Sequence, residues 1–212
     1  MGSDPQRPPF PTIERLALYT RPLEALQKAQ VQVVSSEGLA KMCGVNPAQV
    51  RKDLAHFGDF GTRGVGYEVP QLLKAIKKIL ATDRKWRLCI VGIGNLAKAL
   101  VESENFRNRG YIFVALFDDT PQKIGTLLAG LEILPFSLIP EKIKELGIEI
   151  GVITTKESHT RNAAELLVSG GIKAILNFSP VQLRAPEGVL VENWDISVRF
   201  ERLAYVLGRG LR

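Results

Sequence analysis

The segment Leu88-Cys-Ile-Val-Gly-Ile-Gly-Asn-Leu-Ala97 constrains this chain more than any other, because it dictates a fold and does so in mid-sequence. An apolar strand pattern runs into Gly92-x-Gly94-x-x-Ala97, and a helical pattern follows. A second apolar run, Tyr111 to Phe117, ends in Asp118, about 20 residues past the loop. That order describes a dinucleotide-binding βαβ unit. Gly92 permits the tight turn, Gly94 lets a pyrophosphate approach the backbone at a helix N-terminus, and Ala97 is small enough for helix–strand packing. Asp118 stands where a carboxylate accepts from a ribose 2′-hydroxyl and repels a 2′-phosphate, which favours NAD(H) over NADP(H). Lys123 lies close enough in sequence to soften that repulsion. The bland alternative is a glycine turn in a sheet that binds nothing. The strand before, the helix after and the spaced acid argue against it.

The loop's position leaves the first 80 or so residues for something else. A chain of 212 residues holds one large domain or two small ones. The formal charge is +6, from 28 Lys and Arg against 22 Asp and Glu. Residues 1–85 carry 13 of the cations and 8 of the acids, so the basic excess sits upstream. This suggests a polyanion partner there, although such an excess can also be a solvated surface. No apolar run is long enough to span a membrane and the N-terminus has no apolar signal core, so a cytoplasmic protein is expected. Two cysteines, Cys43 and Cys89, both in apolar settings, support neither a disulfide framework nor a metal site.

Upstream, residues 1–11 read as a flexible arm. A helix is expected over 13–30, with a kink or break at Pro22. A short helix follows with Ser36 as its N-cap, stopped at Gly44. Asn46 caps a second helix with Pro47 at its first position, running to about Phe57. Two helices joined by a three-residue turn make a helix-turn-helix. The glycines 58, 61, 64 and 66 then suggest a two-stranded wing, followed by an amphipathic helix over 70–80 and a linker over 81–85. If Val50, Leu54 and Phe57 face inward, a 100° rotation per residue places Ala48, Gln49, Lys52 and His56 outward, with Arg51 on the flank. In a major groove Lys52 can read guanine, Gln49 adenine, and the Ala48 methyl thymine. Arg51 suits a phosphate, and Arg63, at the wing tip, a phosphate or the minor groove. Gly64 and Tyr67 of the wing complete the expected DNA surface. A small helical domain with a solvated charged face is the alternative.

Downstream, strands are expected over 86–91, 111–117, 148–154, 172–177 and 189–194. Helices start at Asn95 and cover about 138–146 and 160–169. Such alternation implies a mostly parallel sheet covered on both faces. His159 reads as a surface histidine at a strand–helix junction, where a dehydrogenase could use it as a catalytic group. The last helix, over 195–207, carries Ile196, Phe200, Leu203 and Leu207 on one side and Val198 and Tyr205 on the other. Two apolar sides suggest insertion between two bodies, such as a second subunit; full burial within one chain is the alternative.

At this point the sequence resembles the Rex redox-sensing transcriptional repressors of bacteria, over about residues 18–207. The resemblance rests on Val34-Ser-Ser-Glu, Gly44-Val-Asn-Pro-Ala-Gln-Val-Arg-Lys-Asp-Leu54, Phe57-Gly-Asp-Phe-Gly-Thr-Arg-Gly-Val-Gly-Tyr67, Val91-Gly-Ile-Gly-Asn-Leu96 and Gly171-Ile-Lys-Ala-Ile-Leu-Asn-Phe-Ser-Pro180. It implies a winged-helix domain over 12–81, a Rossmann domain over 82–194 and a C-terminal helix over 195–212 exchanged within a homodimer. It also implies that NADH and NAD⁺ act as regulatory ligands, that palindromic operator DNA is bound when NADH is low, and that NADH releases it. Ile93, Asn95, Leu96, Thr154, Thr155, Asn177 and Pro180 join the expected cofactor site. Arg21 and Asp195 match an arginine–aspartate contact between subunits. The family's tyrosine in the helix after the glycine loop is missing from Val101-Glu-Ser-Glu-Asn-Phe106, and Thr154-Thr155 replaces a Val-Pro-like pair. The residue reading keeps two other functions in view. One is a small NAD-dependent oxidoreductase with a helical dimerisation domain. The other is a coenzyme-A-binding Rossmann protein, which Asp118 disfavours.

Overall fold

The computed structural model describes residues 8–210 with the exception of Arg63 and Ala185. The chain divides between Arg84 and Lys85 into two compact units.

The first unit is built on α1 (Phe10–Lys28), α2 (Ser36–Cys43), α3 (Pro47–Ala55) and α4 (Val69–Ile79). A small sheet joins β1 (Val33–Val34), β2 (Gly61–Thr62) and β3 (Gly66–Glu68), with β3 in the middle and both pairings antiparallel. Residues 1–7 of the expected arm lie outside the described residues, and α1 opens inside the arm's span, at Phe10. Pro22 does not break α1. A proline inside a helix costs about 3 kcal/mol, but Leu16 and Tyr19 before it and Leu23 after it are all fully buried in one core. Packing on both sides of the proline outweighs the lost hydrogen bond. The N-cap of α2 is Ser35 rather than Ser36: its Oγ accepts from the Gly38 N–H at 3.0 Å, while Ser36 is the first helical residue. Asn46 caps α3 through the Ala48 N–H at 2.8 Å, with Pro47 at the first turn. Strand β1 was not anticipated. Two residues are too few for an alternating pattern, and only the partner strand at Tyr67 and Glu68 defines them.

The second unit alternates strands and helices: β4 (Trp86–Val91), α5 (Asn95–Glu102), α6 (Glu104–Asn108), β5 (Tyr111–Asp118), β6 (Leu127–Leu128), β7 (Leu131–Pro135), α7 (Ile139–Leu146), β8 (Ile150–Ile153), α8 (Glu157–Gly170), β9 (Ala174–Asn177), β10 (Leu190–Asn193) and α9 (Ile196–Gly208). The sheet order is β10-β9-β8-β4-β5-β7-β6, and every pairing is parallel except the β6–β7 hairpin at one edge. This is the doubly wound order, reversing direction between β4 and β8. Leu88, Ile90 and Leu116 pack on one face with Ala97 and Val101 of α5. Cys89, Val91 and Phe117 pack on the other with α7 and α8. Burial pushes the Cys89 thiol up to about 12, so it is a core residue without thiolate chemistry. No residue of α9 is buried: Phe200 is 67% exposed, Leu203 58% and Tyr205 60%.

Candidate dinucleotide site and nucleic-acid interface

The glycine loop leaves the carboxyl end of β4, where the sheet reverses direction. The Gly92 N–H donates to the Phe117 carbonyl of β5 at 2.8 Å. On the opposite side the Thr154 hydroxyl donates to the Gly92 carbonyl at 2.6 Å. Gly92 has φ +92°, and a Cβ there would stand 2.8 Å from the backbone of Thr155. No other residue fits both conditions. Gly94 differs. Its backbone is extended, it stands at the N-cap of α5 without a side-chain cap, and a Cβ there would meet nothing within 4 Å. Open space in front of an uncapped helix N-terminus fits a pyrophosphate, which the exposed first turn at Asn95 and Leu96 would border. Ile93 and Ala97 are buried against the sheet and support the loop from within.

Asp118 lies at the end of β5 and is 2% exposed. Its Oδ2 accepts from the Ile93 N–H at 2.6 Å and from Lys123 Nζ at 2.9 Å, and its Oδ1 from the Thr120 N–H at 2.8 Å. Burial alone would raise this carboxyl, but the bonds from Thr120, Lys123 and Ile93 outweigh it and hold it below its ordinary value. Lys123 also donates to the Ile93 carbonyl at 2.9 Å. The carboxylate therefore ties the loop to β5 and carries its own counter-ion.

The residues expected at the far end of the site serve mainly as its frame. Thr154 is spent on the loop. The Thr155 hydroxyl lies 3.1 Å from that of Thr160, which lies 2.7 Å from that of Ser179. Asn177 is a correction to its expected role. It is fully buried, and its amide bonds the Val181 carbonyl at 2.7 Å, Asn193 Oδ1 at 2.8 Å and the Ser179 N–H at 3.0 Å. It braces the ends of β9 and β10 instead of facing a ligand. Pro180, just beyond, is exposed.

In the first unit, α3 presents Ala48, Lys52 and His56 to solvent. Gln49 does not join them. Its Nε2 donates at 2.8 Å to Asp53, which is fully buried. Asp53 also receives Arg15 through two nitrogens, at 2.6 and 2.7 Å, and the Tyr19 hydroxyl at 2.7 Å. Burial would raise its carboxyl, yet the bonds from Arg15, Tyr19 and Gln49 hold it low. This cluster fixes α3 on α1 and was not foreseen, although Asp53 falls three residues after Val50 and so on the inward stripe. Arg51 lies on the flank, as expected, donating to Ser36 Oγ at 2.9 Å and pairing with Glu37 at 3.3 Å. Arg63 lies outside the described residues. Tyr67 also departs from its expected role: its ring is buried in the core beneath the wing, because β3 is the central strand of the small sheet. Gly64 is exposed at the wing turn. A groove of about 570 Å³ between α3 and the wing is lined by Ser36, Arg51, Ala55, Asp59, Gly64 and Tyr67, among others.

Arg21 is exposed on α1. Asp195 caps α9, its Oδ1 accepting from the Ser197 N–H at 2.9 Å and the Ser197 hydroxyl at 2.7 Å.

Residues 9–55 match the family described as putative DNA-binding protein N-terminus, and residues 83–181 the CoA binding domain. The redox-sensing transcriptional repressor Rex of Syntrophobacter fumaroxidans is 49% identical over 203 residues, covering 95% of this chain and 97% of the relative. Two solved structures of RSP, a Rex-family repressor, are similar throughout. The complex with β-NAD⁺ and operator DNA has a TM-score of 0.91 at 33% identity, covering 96% of this chain and 94% of that one. The complex with β-NADH has a TM-score of 0.85 at 32% identity, covering 95% of each.

Proposed function

The chain belongs to the family of the redox-sensing transcriptional repressor Rex, and we propose that it binds operator DNA through α3 and its wing and is released when NADH occupies the Gly92–Gly94 loop. The family is one of repressors, not enzymes, which sets the oxidoreductase alternative aside. The observation that carries the reading is the open space beside Gly94 at an uncapped helix N-terminus, at the switch point of a doubly wound sheet, in a chain that also carries an exposed helix-turn-helix.

Each ligand has its own residues. Ala48, Lys52 and His56 face the bases, and Arg51 faces a phosphate. The amides at the start of α5 take the pyrophosphate, while Asp118 and Lys123 define the ribose side. Neither ligand undergoes chemistry; NADH and NAD⁺ act by their different affinities for the DNA-binding state. The palindromic operator calls for a dimer, which α9 supports through its uncovered apolar sides. Asp195 uses only Oδ1 in its cap, leaving Oδ2 for Arg21 of the second copy. We place the protein in the cytoplasm, where operator DNA and the nicotinamide pool meet. Among the described residues no helix is long and apolar enough to cross a membrane.

The test is fluorescence anisotropy with a labelled palindromic operator. NADH should release the DNA at concentrations where NAD⁺ does not. Equal behaviour of the two cofactors, or turnover of NADH without release, would overturn the proposal.

A further inference from the structure

His159 and Asp119 have no part in the site as built so far. His159 lies in the first turn of α8, and its Nδ1 stands 3.0 Å from Asp119 Oδ2. Both side chains are partly open to solvent, at 45% and 37%. Asp119 directly follows β5, and α8 follows β8. In the sheet β4 lies between β5 and β8. A contact from the end of β5 to the start of α8 must therefore pass over the end of β4, where the Gly92 loop begins.

The alternation of a strand explains how this happens. Phe117 faces the side that α7 and α8 cover, Asp118 turns the other way to the Ile93 N–H, and Asp119 turns back toward α8. The two adjacent aspartates thus border opposite sides of one crevice. Asp118 has Lys123 as its cation, at 2.9 Å, and Asp119 has His159 Nδ1 as its hydrogen-bonding neighbour. A dinucleotide whose pyrophosphate sits on α5 sends one nucleoside toward the acid at the end of β5. On that course the nucleoside passes beside the Asp119–His159 contact.

We propose that Asp119 and His159 form the outer wall of the adenosine half of the site, with His159 as the group that positions and shields the nucleoside. The inference rests on the dinucleotide reading above. The imidazole has two parts to play. Its ring offers a flat surface to a base at the mouth of the crevice. Its Nδ1, 3.0 Å from Asp119, gives a hydrogen-bond partner to a carboxylate that would otherwise face the phosphates without one. Asp119 is then a positioning residue, acting through His159.

Calorimetry on the full-length dimer with NADH, and separately with ADP-ribose, tests this. His159→Ala should weaken both ligands alike, about five- to tenfold, because both carry the adenosine half. His159→Gln, which can still donate to Asp119, should recover part of the loss. Asp119→Asn placed on His159→Ala should also recover part of it, since the uncompensated carboxylate is then gone. An unchanged affinity for both ligands in His159→Ala, with NADH still bound by the wild type, overturns the wall and leaves the dinucleotide reading standing. A loss confined to NADH also overturns it, since it would place His159 at the nicotinamide half. A wild type that binds neither ligand overturns the dinucleotide reading itself. Thermal melting of each variant separates a folding defect from a binding one. A melting change without an affinity change counts against the proposal.

Discussion

Asp53 shows how a charge is kept in a core. Its carboxylate is fully buried, but Arg15, Tyr19 and Gln49 all donate to it, so the charged form is the stable one. Asp53→Asn keeps the volume and leaves Arg15 without its counter-ion. It should cost about 3 kcal/mol, the low end for breaking a buried pair, because Arg15 retains some access to water. A thermal scan checks this, and an unchanged midpoint would mean the cluster contributes nothing. The pH dependence has a definite sign. A carboxyl held below its ordinary value contributes stability that is complete above about pH 4, the unfolded value, and is lost as pH falls through the folded value. The gap between wild type and Asp53→Asn should therefore shrink under acid. At the other site, Lys123 neutralises Asp118 from 2.9 Å. Lys123→Ala exposes that charge to a 2′-phosphate, so the preference for NADH over NADPH should grow by roughly three- to tenfold in calorimetry. An unchanged preference would mean that Asp118 does not face the ribose. The sequence made Asp118 visible through its spacing. It did not show that the carboxylate is already bonded within the chain, since Ile93 and Thr120 contribute backbone N–H groups that carry no residue signature.

At the scale of elements, the turn from β4 to α5 separates folding from binding. Gly92 is required by the protein itself, with positive φ and Thr155 against it. Gly94 is not, because its φ is ordinary and the space beside it is open. Gly94→Ala should therefore melt close to the wild type yet lose most NADH affinity, because its methyl fills the place of the pyrophosphate. Gly92→Ala should lose both. Melting and NADH titration of the two variants decide the matter, and tight NADH binding by Gly94→Ala would move the ligand elsewhere. This turn was legible because its chemistry needs glycine at fixed spacing. The β4 strand was equally legible, because its last four residues, Leu88 to Val91, form an apolar run into the loop. Elements defined by partners were not. Strand β1 exists through β3, and the break between α5 and α6 at Ser103 follows no proline or glycine. Helix α3 was half legible. Its apolar stripe placed Lys52 outward, but a stripe drawn from apolar residues alone passed over Asp53 and turned Gln49 to the wrong side.

At the scale of the whole molecule, α9 is the element that a single copy leaves uncovered. Leu203 and Leu207 on one side and Val198 and Tyr205 on the other stay exposed, and covering each such side chain is worth about 1.5–3 kcal/mol. Leu203→Asp should therefore yield monomers or aggregates in light scattering; a stable dimer would exclude α9 from the interface. The proposed dimer also sets the terms of regulation. On the proposed assignment DNA and NADH contact different residues, so neither displaces the other directly, and each acts only by favouring one of two states. In that scheme the Arg21–Asp195 contact between copies belongs to one state. Arg21→Ala should change DNA affinity or the NADH response while NADH still binds. Linkage then imposes a quantitative condition. If NADH lowers operator affinity by some factor, saturating operator must lower NADH affinity by the same factor. For a tenfold effect this is a coupling of about 1.4 kcal/mol. NADH titrations with and without a palindromic duplex measure it directly. Equal NADH affinities in the two titrations would mean that the ligands do not compete for the state of one molecule, and release of DNA by NADH would lose its physical basis.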